Sequence, residues 1–303
     1  MASAYALAVT NGGYGQTVTT SRPVVAVLFG GRSSEHSISC LSAASVLAAI
    51  DRADYDVVAV AIARDGRMFV HSGDTSLLAK NGDVLPEVLP TGQQVVLSTD
   101  PSIRGFVSTD GSQLPSLYQS VDVVFPVLHG PYGEDGTIQG ALEFAQLPCV
   151  GSGVFASAAA MDKTHMKAMF VAHGLPVGAF EVVTSTQWHQ SPDACRERID
   201  ALGFPVFVKP ARAGSSIGIS KVHSGDGVAA AMAAAQAHDP KVIVEAAISG
   251  AREIECGVLV DGTGVPRASV PSCTISGVPA RSVQHEAAIR SYRTTGQHRA
   301  CRQ

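Results

Sequence analysis

Four short stretches of this 303-residue chain gather side chains that could hold or react with a charged substrate. Gly30-Gly31-Arg32-Ser33-Ser34-Glu35-His36-Ser37 lies between an apolar run and a helical one. Backbone N–H groups at such a turn suit an anion, whereas the Glu35 carboxylate suits an ammonium group. The same residues also fit a plain capped helix, with Ser33 or Ser34 as the cap and Glu35 favoured by the helix dipole. His129-Gly130-Pro131-Tyr132-Gly133-Glu134-Asp135-Gly136 follows a second apolar run. Parallel-sheet proteins place ligands at strand ends. His129 is a side chain there that could touch one, and the glycines let the backbone come close. Lys209 ends the run Phe207-Val208 and leads through Pro210, Ala211, Arg212, Ala213 and Gly214 to Ser215 and Ser216. A lysine at the end of a buried strand is costly without an anion, and a Gly-Ser-Ser loop offers amides and hydroxyls to phosphate oxygens. The plainer alternative is a surface hairpin with a snorkelling lysine. Finally, Lys163 follows Met161-Asp162, Glu245 closes Val242-Ile243-Val244, and Glu253 opens Glu253-Ile254-Glu255. A carboxylate at a strand end can accept from an adenine amino group or a ribose hydroxyl.

These residues need elements to position them. Pro23–Gly31 is a continuous β-branched run ending in Gly-Gly, the pattern of a buried parallel strand. A helix follows, with Leu41, Ala44, Val46, Leu47 and Ile50 as its apolar face, and then a strand over Tyr55–Ala63. The β-α-β order predicts a parallel sheet with a right-handed crossover. Residues 64–120 are irregular, with a hairpin-like Asp65-Gly66. Further strands are predicted over Val121–Leu128 and Pro148–Val150, with a helix over Thr137–Gln146 between them. Beyond residue 150 the pattern predicts one helix over Val154–His173. Strands follow at Phe180–Thr184, Pro205–Pro210, Val242–Ala246 and Ile254–Val260, with an Ala-rich helix over Gly227–Ala237.

Composition narrows the function classes. Hydrophobic residues make up 46% and charged residues 16%, which excludes a chain disordered throughout. No apolar run approaches the ~18 residues of a membrane-spanning helix. The net charge of −4 argues against a general nucleic-acid binder. The six cysteines form no CxxC pair, which argues against a zinc site. No secretory signal pattern opens the chain, so it reads as cytoplasmic with reduced thiols. Neither GxxxxGK[ST] nor GxGxxG is present, which sets aside a P-loop and disfavours a nicotinamide dehydrogenase.

In combination the motifs say more. GGRSSEHSIS, VFPVLHGPYGEDGTIQGALEFAQLPCVGSG, AAAMDKTHMKAMF, FPVFVKPARAGSSIGISKV and VIVEAAISGAREIECGVL occur in this order. Over Pro23–Val270 the chain resembles the D-alanine–D-alanine ligases of the ATP-grasp superfamily. The resemblance implies an α/β fold: an N-terminal parallel-sheet (Rossmann-like) lobe followed by an incomplete ATP-grasp fold. It implies ATP-dependent joining of two D-alanines through an acylphosphate for peptidoglycan, and a homodimer through the N-terminal domain. It also implies roles. Glu35 binds the ammonium of the first D-alanine, with His129 beside the same substrate. Lys163 and Lys209 contact ATP phosphates, and Ser215 and Ser216 sit in the loop that closes over them. Glu245 lies near adenine and Glu253 at the ribose hydroxyls. D-alanine–D-lactate and D-alanine–D-serine ligation remain open within the resemblance.

After Pro271 the resemblance stops. The family expects Mg²⁺ or Mn²⁺ held by an Asp, a Glu and the Asn of N-x-x-P-G, yet no Asn follows Asn81, so those ligands are absent from this chain. Residues 271–303 instead carry five arginines against one acid, Glu286, and no lysine. The expected domains are a tail over 1–22, a substrate-binding domain over 23–150, an ATP-grasp domain over 151–271 and a disordered, non-family tail over 272–303. The abrupt change suggests a reading-frame shift near codon 271. It leads to two expectations: weak support for residues 240–270, and very low ligase activity, at the limit an inactive chain that keeps only nucleotide binding and dimerisation.

Overall fold

The computed structural model describes residues 22–109, 116–260 and 263–274. Residues 22–247 belong to one compact unit and residues 248–274 to another. The expected tails therefore fall almost wholly outside the described residues.

The first unit opens with β1 (Val24–Gly30), α1 (His36–Ala49) and β2 (Asp56–Ile62). The chain then zigzags through β3 (Met68–His71), β4 (Gln94–Leu97), β5 (Gly105–Ser108) and β6 (Ser116–Ser120). It returns through β7 (Val123–Pro126) to α2 (Thr137–Phe144). The seven strands form one sheet in the order β6-β5-β4-β3-β2-β1-β7. Only β2-β1-β7 is parallel; every pairing from β2 outward through β3 to β6 is antiparallel. The predicted parallel sheet is thus the centre of a mixed one. The reason lies in short connections: Gly66, at φ +92°, turns β2 straight back into β3, and a two- to five-residue turn can only join antiparallel neighbours.

Both faces of the parallel centre are covered, which is why β1 reads as an unbroken apolar run. Val25, Val27 and Phe29 pack with Cys40, Ala43 and Leu47 of α1, while Ala26 and Leu28 pack with Ile138 and Leu142 of α2. The buried face of α1 is therefore shifted from the predicted one; Ala44, Val46 and Ile50 lie at its margin, partly buried. Pro148–Val150 contributes a single parallel bridge, Val124 to Cys149, rather than a strand.

Two helices follow where one was predicted: α3 (Val154–Met161) and α4 (Lys163–Ala172). The break is Asp162, at φ −85° and ψ 103°, whose carboxylate accepts from the Thr164 and His165 amides. Aspartate competes for backbone donors inside a helix and stabilises a helix start.

Next come β8 (Phe180–Thr184), α5 (Ser185–Gln190), α6 (Pro192–Asp200), β9 (Val206–Pro210), β10 (Ser220–Val222), α7 (Val228–Gln236) and β11 (Lys241–Ala246). The strands form an antiparallel sheet in the order β10-β9-β11-β8. Its two faces differ by the period-2 alternation of strands. Val206, Val208, Val242 and Val244 face Cys195 and Ile199 of α6 and Val228 and Met232 of α7. Register sets Ile243 opposite Lys209, and Glu245 opposite Phe207 and Phe180, on the other face. Val242, Ile243 and Val244 are fully buried, so the expected weakness of residues 240–270 does not extend to β11.

In the second unit the predicted strand Ile254–Val260 is split. β12 (Glu253–Glu255) pairs with β15 (Ser272–Thr274), and β13 (Val258–Val260) pairs with β14 (Pro266–Ala268). Ile254, Val258, Leu259 and Val260 are all exposed.

Candidate active site

The turn after β1 is built from its own polar residues. Gly30 and Gly31 sit at φ +89° and +92°, and a Cβ on Gly30 would lie 2.3 Å from the Ile62 carbonyl. His36 is fully buried. Its Nδ1 donates to the Gly31 carbonyl at 2.7 Å and its Nε2 accepts from the Val88 amide at 3.0 Å, which fixes the neutral tautomer. Ser39 accepts from the Gly30 amide at 2.8 Å and donates to the Val127 carbonyl, joining the ends of β1 and β7.

Glu35 occupies the N-cap position of α1, yet its side chain makes no capping hydrogen bond. It is 4% exposed, and its Oε2 is buried with no partner in the structure. The capping alternative therefore does not account for this side chain. A buried carboxylate without a donor or cation is expensive, so this oxygen invites a cationic ligand.

The cradle around Glu35 comes from two distant loops. A Cβ on Gly130 would stand 2.3 Å from Oε2, and one on Gly214 would stand 3.1 Å from Oε1 and 3.2 Å from Oε2. The Ser33 hydroxyl donates to the His129 carbonyl at 2.6 Å, holding the first loop on the turn. His129 Nε2 lies 2.9 Å from the Ser42 hydroxyl, and the Arg32 guanidinium stacks over Tyr132 at 4.8 Å. Within the loop, Glu134 accepts from the Gly130 amide, and Asp135 accepts from the Tyr132 and Thr137 amides.

Lys163 and Lys209 converge from different elements. Lys163 begins α4; its ammonium donates to the Ala213 carbonyl at 2.5 Å, one residue from the glycine beside Glu35. Burial, with the neighbouring Lys209 charge, holds its pKa below the ordinary lysine range. Lys209 on β9 pairs with Glu245 on β11, and Lys167, one turn along α4, pairs with the other Glu245 oxygen at 2.7 Å. Burial pushes the Glu245 carboxyl up, but Lys167 and Lys209 outweigh it and hold the pKa below normal. Ser215 and Ser216 are exposed at φ +45° and +59° in a turn closed by the Ile217 amide on the Gly214 carbonyl. They follow Ala213, whose carbonyl Lys163 holds, and Gly214, on which a Cβ would meet Glu35.

Seven of the eight predicted residues therefore lie on the turn, loop, helix and strand ends of this first unit. The eighth, Glu253, is exposed on β12 of the second unit. Three ion-paired groups were not predicted as site residues. Lys167 carries the one available signal, four residues after Lys163 and hence on the same helix face. Asp239, with Arg212, and Lys241, with Asp162, carry none, because their pairings span 27 and 79 residues.

The acids near the lysines do not fit a divalent cation: Asp162, Asp239 and Glu245 are each engaged by Lys241, Arg212 or the Lys167–Lys209 pair. Among the described residues, no three His, Cys, Asp or Glu side chains are grouped to hold a metal. Among the same residues, no helix is long and apolar enough to cross a membrane.

Comparison with known proteins identifies the family. Residues 24–152 match the family model for the D-ala D-ala ligase N-terminus, and residues 169–275 match that for the D-ala D-ala ligase C-terminus. The chain is 52% identical over 256 residues to a D-alanine–D-alanine ligase of Paenarthrobacter aurescens, covering 84% of this chain and 68% of that one. It is 53% identical over 252 residues to one of an Arthrobacter species, covering 83% and 66%. The chain thus spans about two thirds of the length of these relatives. Among solved structures, the VanG D-Ala:D-Ser ligase from Enterococcus faecalis superposes with a TM-score of 0.68 at 30% identity, covering 90% of this chain and 82% of that one. The D-alanine–D-alanine ligase from Coxiella burnetii gives 0.70 at 29%, covering 90% and 77%. With two family models matched in sequence order over most of its length, the chain belongs to the D-alanine–D-alanine ligase family.

Proposed function

We propose that this chain is an ATP-dependent carboxylate–amine ligase that joins two D-alanines in making peptidoglycan precursors. The observation that carries the reading is the orphaned Glu35 Oε2, in a cradle walled by Gly130 and by Gly214, the residue after the carbonyl that Lys163 holds. An amino acid whose ammonium meets Glu35 would turn its own carboxylate toward the lysines and the Gly-Ser-Ser loop. There the carboxylate oxygen attacks the γ-phosphorus of ATP, giving an acylphosphate and ADP. The amine of the second amino acid then adds to the acyl carbon, loses a proton, and the tetrahedral intermediate expels inorganic phosphate. Lys163 and Lys209 supply positive charge where phosphate oxygens lie, and the Ser215–Ser216 loop covers them and excludes water. Positioning and charge stabilisation are most of what such a transfer needs from side chains. Mg²⁺ or Mn²⁺, expected for the family, would neutralise phosphate charge, although Asp162, Asp239 and Glu245 near the lysines are each engaged by a lysine or arginine.

The same reading assigns Glu245 and Glu253 to the nucleotide, the protein to the cytoplasm, residues 23–150 to amino-acid binding and dimerisation, and residues 151–271 to the nucleotide. The likeness to a D-Ala:D-Ser ligase favours one variant, in which D-serine replaces the second D-alanine. Calorimetric titration of the full chain tests the proposal. Glu35→Gln is expected to lose D-alanine binding and keep ATP binding; Lys209→Met is expected to do the reverse. Equal loss of both ligands in both variants would defeat the assignment. Release of ADP that depends on D-alanine separates an active ligase from a chain that only binds.

A further inference from the structure

The Gly-Ser-Ser loop does not simply hang from β9. Near its base, Arg212 is tied to Asp239, which lies in the α7–β11 connection and is 3% exposed. One carboxylate oxygen accepts from the Arg212 amide and Nε, both at 2.9 Å. The other accepts from Arg212 Nη2 at 2.6 Å and from the Lys241 amide at 3.0 Å. Four bonds thus converge on one buried carboxylate, and two of them form the planar fork that only a guanidinium can make. The Lys241 carbonyl in turn accepts from the Ala211 amide, and the Lys241 ammonium pairs with Asp162, the cap of the helix that begins with Lys163. Loop base, strand start and lysine helix are therefore fixed to one another through these two pairs. Immediately beyond Arg212 the restraint changes character: Ala213 is held by Lys163, Gly214 leaves no room for a side chain beside Glu35, and Ser215 and Ser216 are exposed at positive φ.

We infer that Arg212 and Asp239 are positioning residues that clamp the base of the phosphate-covering loop, so that only residues 213–219 are free to move when nucleotide binds. The inference rests on the proposed ligase reading for the identity of the ligand, not for the clamp itself. Arg212 touches no reacting atom; it acts through the placement of Lys163 and the Ser215–Ser216 turn. A lysine in its place keeps the charge but can meet only one carboxylate oxygen at a time, so the fork rather than the charge is what matters.

The test uses the full chain with Arg212→Met, Arg212→Lys and Asp239→Asn. Hydrogen exchange of the amides of residues 211–219 is read without nucleotide, beside those of β9 and β11. ATP and ADP affinities are measured separately by titration. The expected result is at least ~10-fold faster exchange confined to 211–219 in Arg212→Met, with strand protection unchanged. ATP affinity should fall about tenfold, with a smaller loss of D-alanine affinity because Gly214 is one wall of the Glu35 pocket. Arg212→Lys should stay closer to the methionine variant than to the parent. Unchanged loop exchange, or full rescue by lysine, would overturn the clamp. If Asp239→Asn loses strand protection as well, the two exposed-side Arg212 variants still decide the matter. If the parent binds no ATP while the exchange results hold, the ligase reading falls and the clamp stands.

Discussion

Glu35 and the two glycines around it form the tightest part of the site. Gly130 must hold φ +72° with Oε2 where a methyl would go. Gly130→Ala is expected to destabilise the fold by about 1–2 kcal/mol from φ alone and to abolish amino-acid binding; a urea titration and calorimetry read the two effects. Asp239 responds to pH in a definite direction. Burial pushes Asp239 up, but Arg212 and the Lys241 amide hold it below its ordinary 3.8. A group depressed in the folded state stabilises it fully above the unfolded value, and that contribution is lost as pH falls through the folded one. Asp239→Asn should therefore cost most near neutrality, and its urea-midpoint deficit against the parent should narrow as pH falls from about 5 toward 2–3. A constant deficit would show that the charge contributes nothing.

At the scale of elements, Asp162 joins local structure to the site. It breaks α3 from α4, caps α4 and pairs with Lys241. Asp162→Ala should lower stability by about 1–2 kcal/mol from the lost cap, with a further cost for the half-buried Lys241 ammonium, and should weaken ATP binding by misplacing Lys163. Thermal melts and titration check both. How far the elements were legible follows from the same kind of detail. β1, β2, β9 and β11 stood out because their residues are apolar on consecutive positions. The break at Asp162 was missed because Ala, Met and Lys on either side are strong helix formers, and only the cap geometry shows that the aspartate begins a second helix. The antiparallel extension through β3 to β6 was missed because strands of only four or five residues leave little pattern in residues 64–120. The motif residues were readable one by one. That Gly130 and Gly214 meet at one carboxylate was not, because sequence carries no distance across 84 positions.

Across the whole molecule, support is uneven. Residues 22–247 hold three buried clusters, whereas Leu259 of β13 is 64% exposed and its hairpin partner is a single short strand. Isolated two-stranded ribbons are marginal in water. Amides of residues 253–260 and 263–274 should exchange orders of magnitude faster than those of Val242–Val244 in the isolated chain, and mass-resolved exchange would read this directly. Comparable protection in both would mean the ribbons gain cover that their own exposure does not suggest.

The Glu35 cradle has a further consequence. Its walls are contributed by residues near 33, 130 and 214, so the pocket exists only while the seven-stranded and four-stranded sheets are docked. An amino acid that fills it binds the docked form alone, and by mass action raises the free energy needed to pull the sheets apart. Substrate is then a structural strut as well as a reactant. Limited proteolysis of the protein should therefore slow when D-alanine is added, and an unchanged rate would show that the pocket does not couple the sheets.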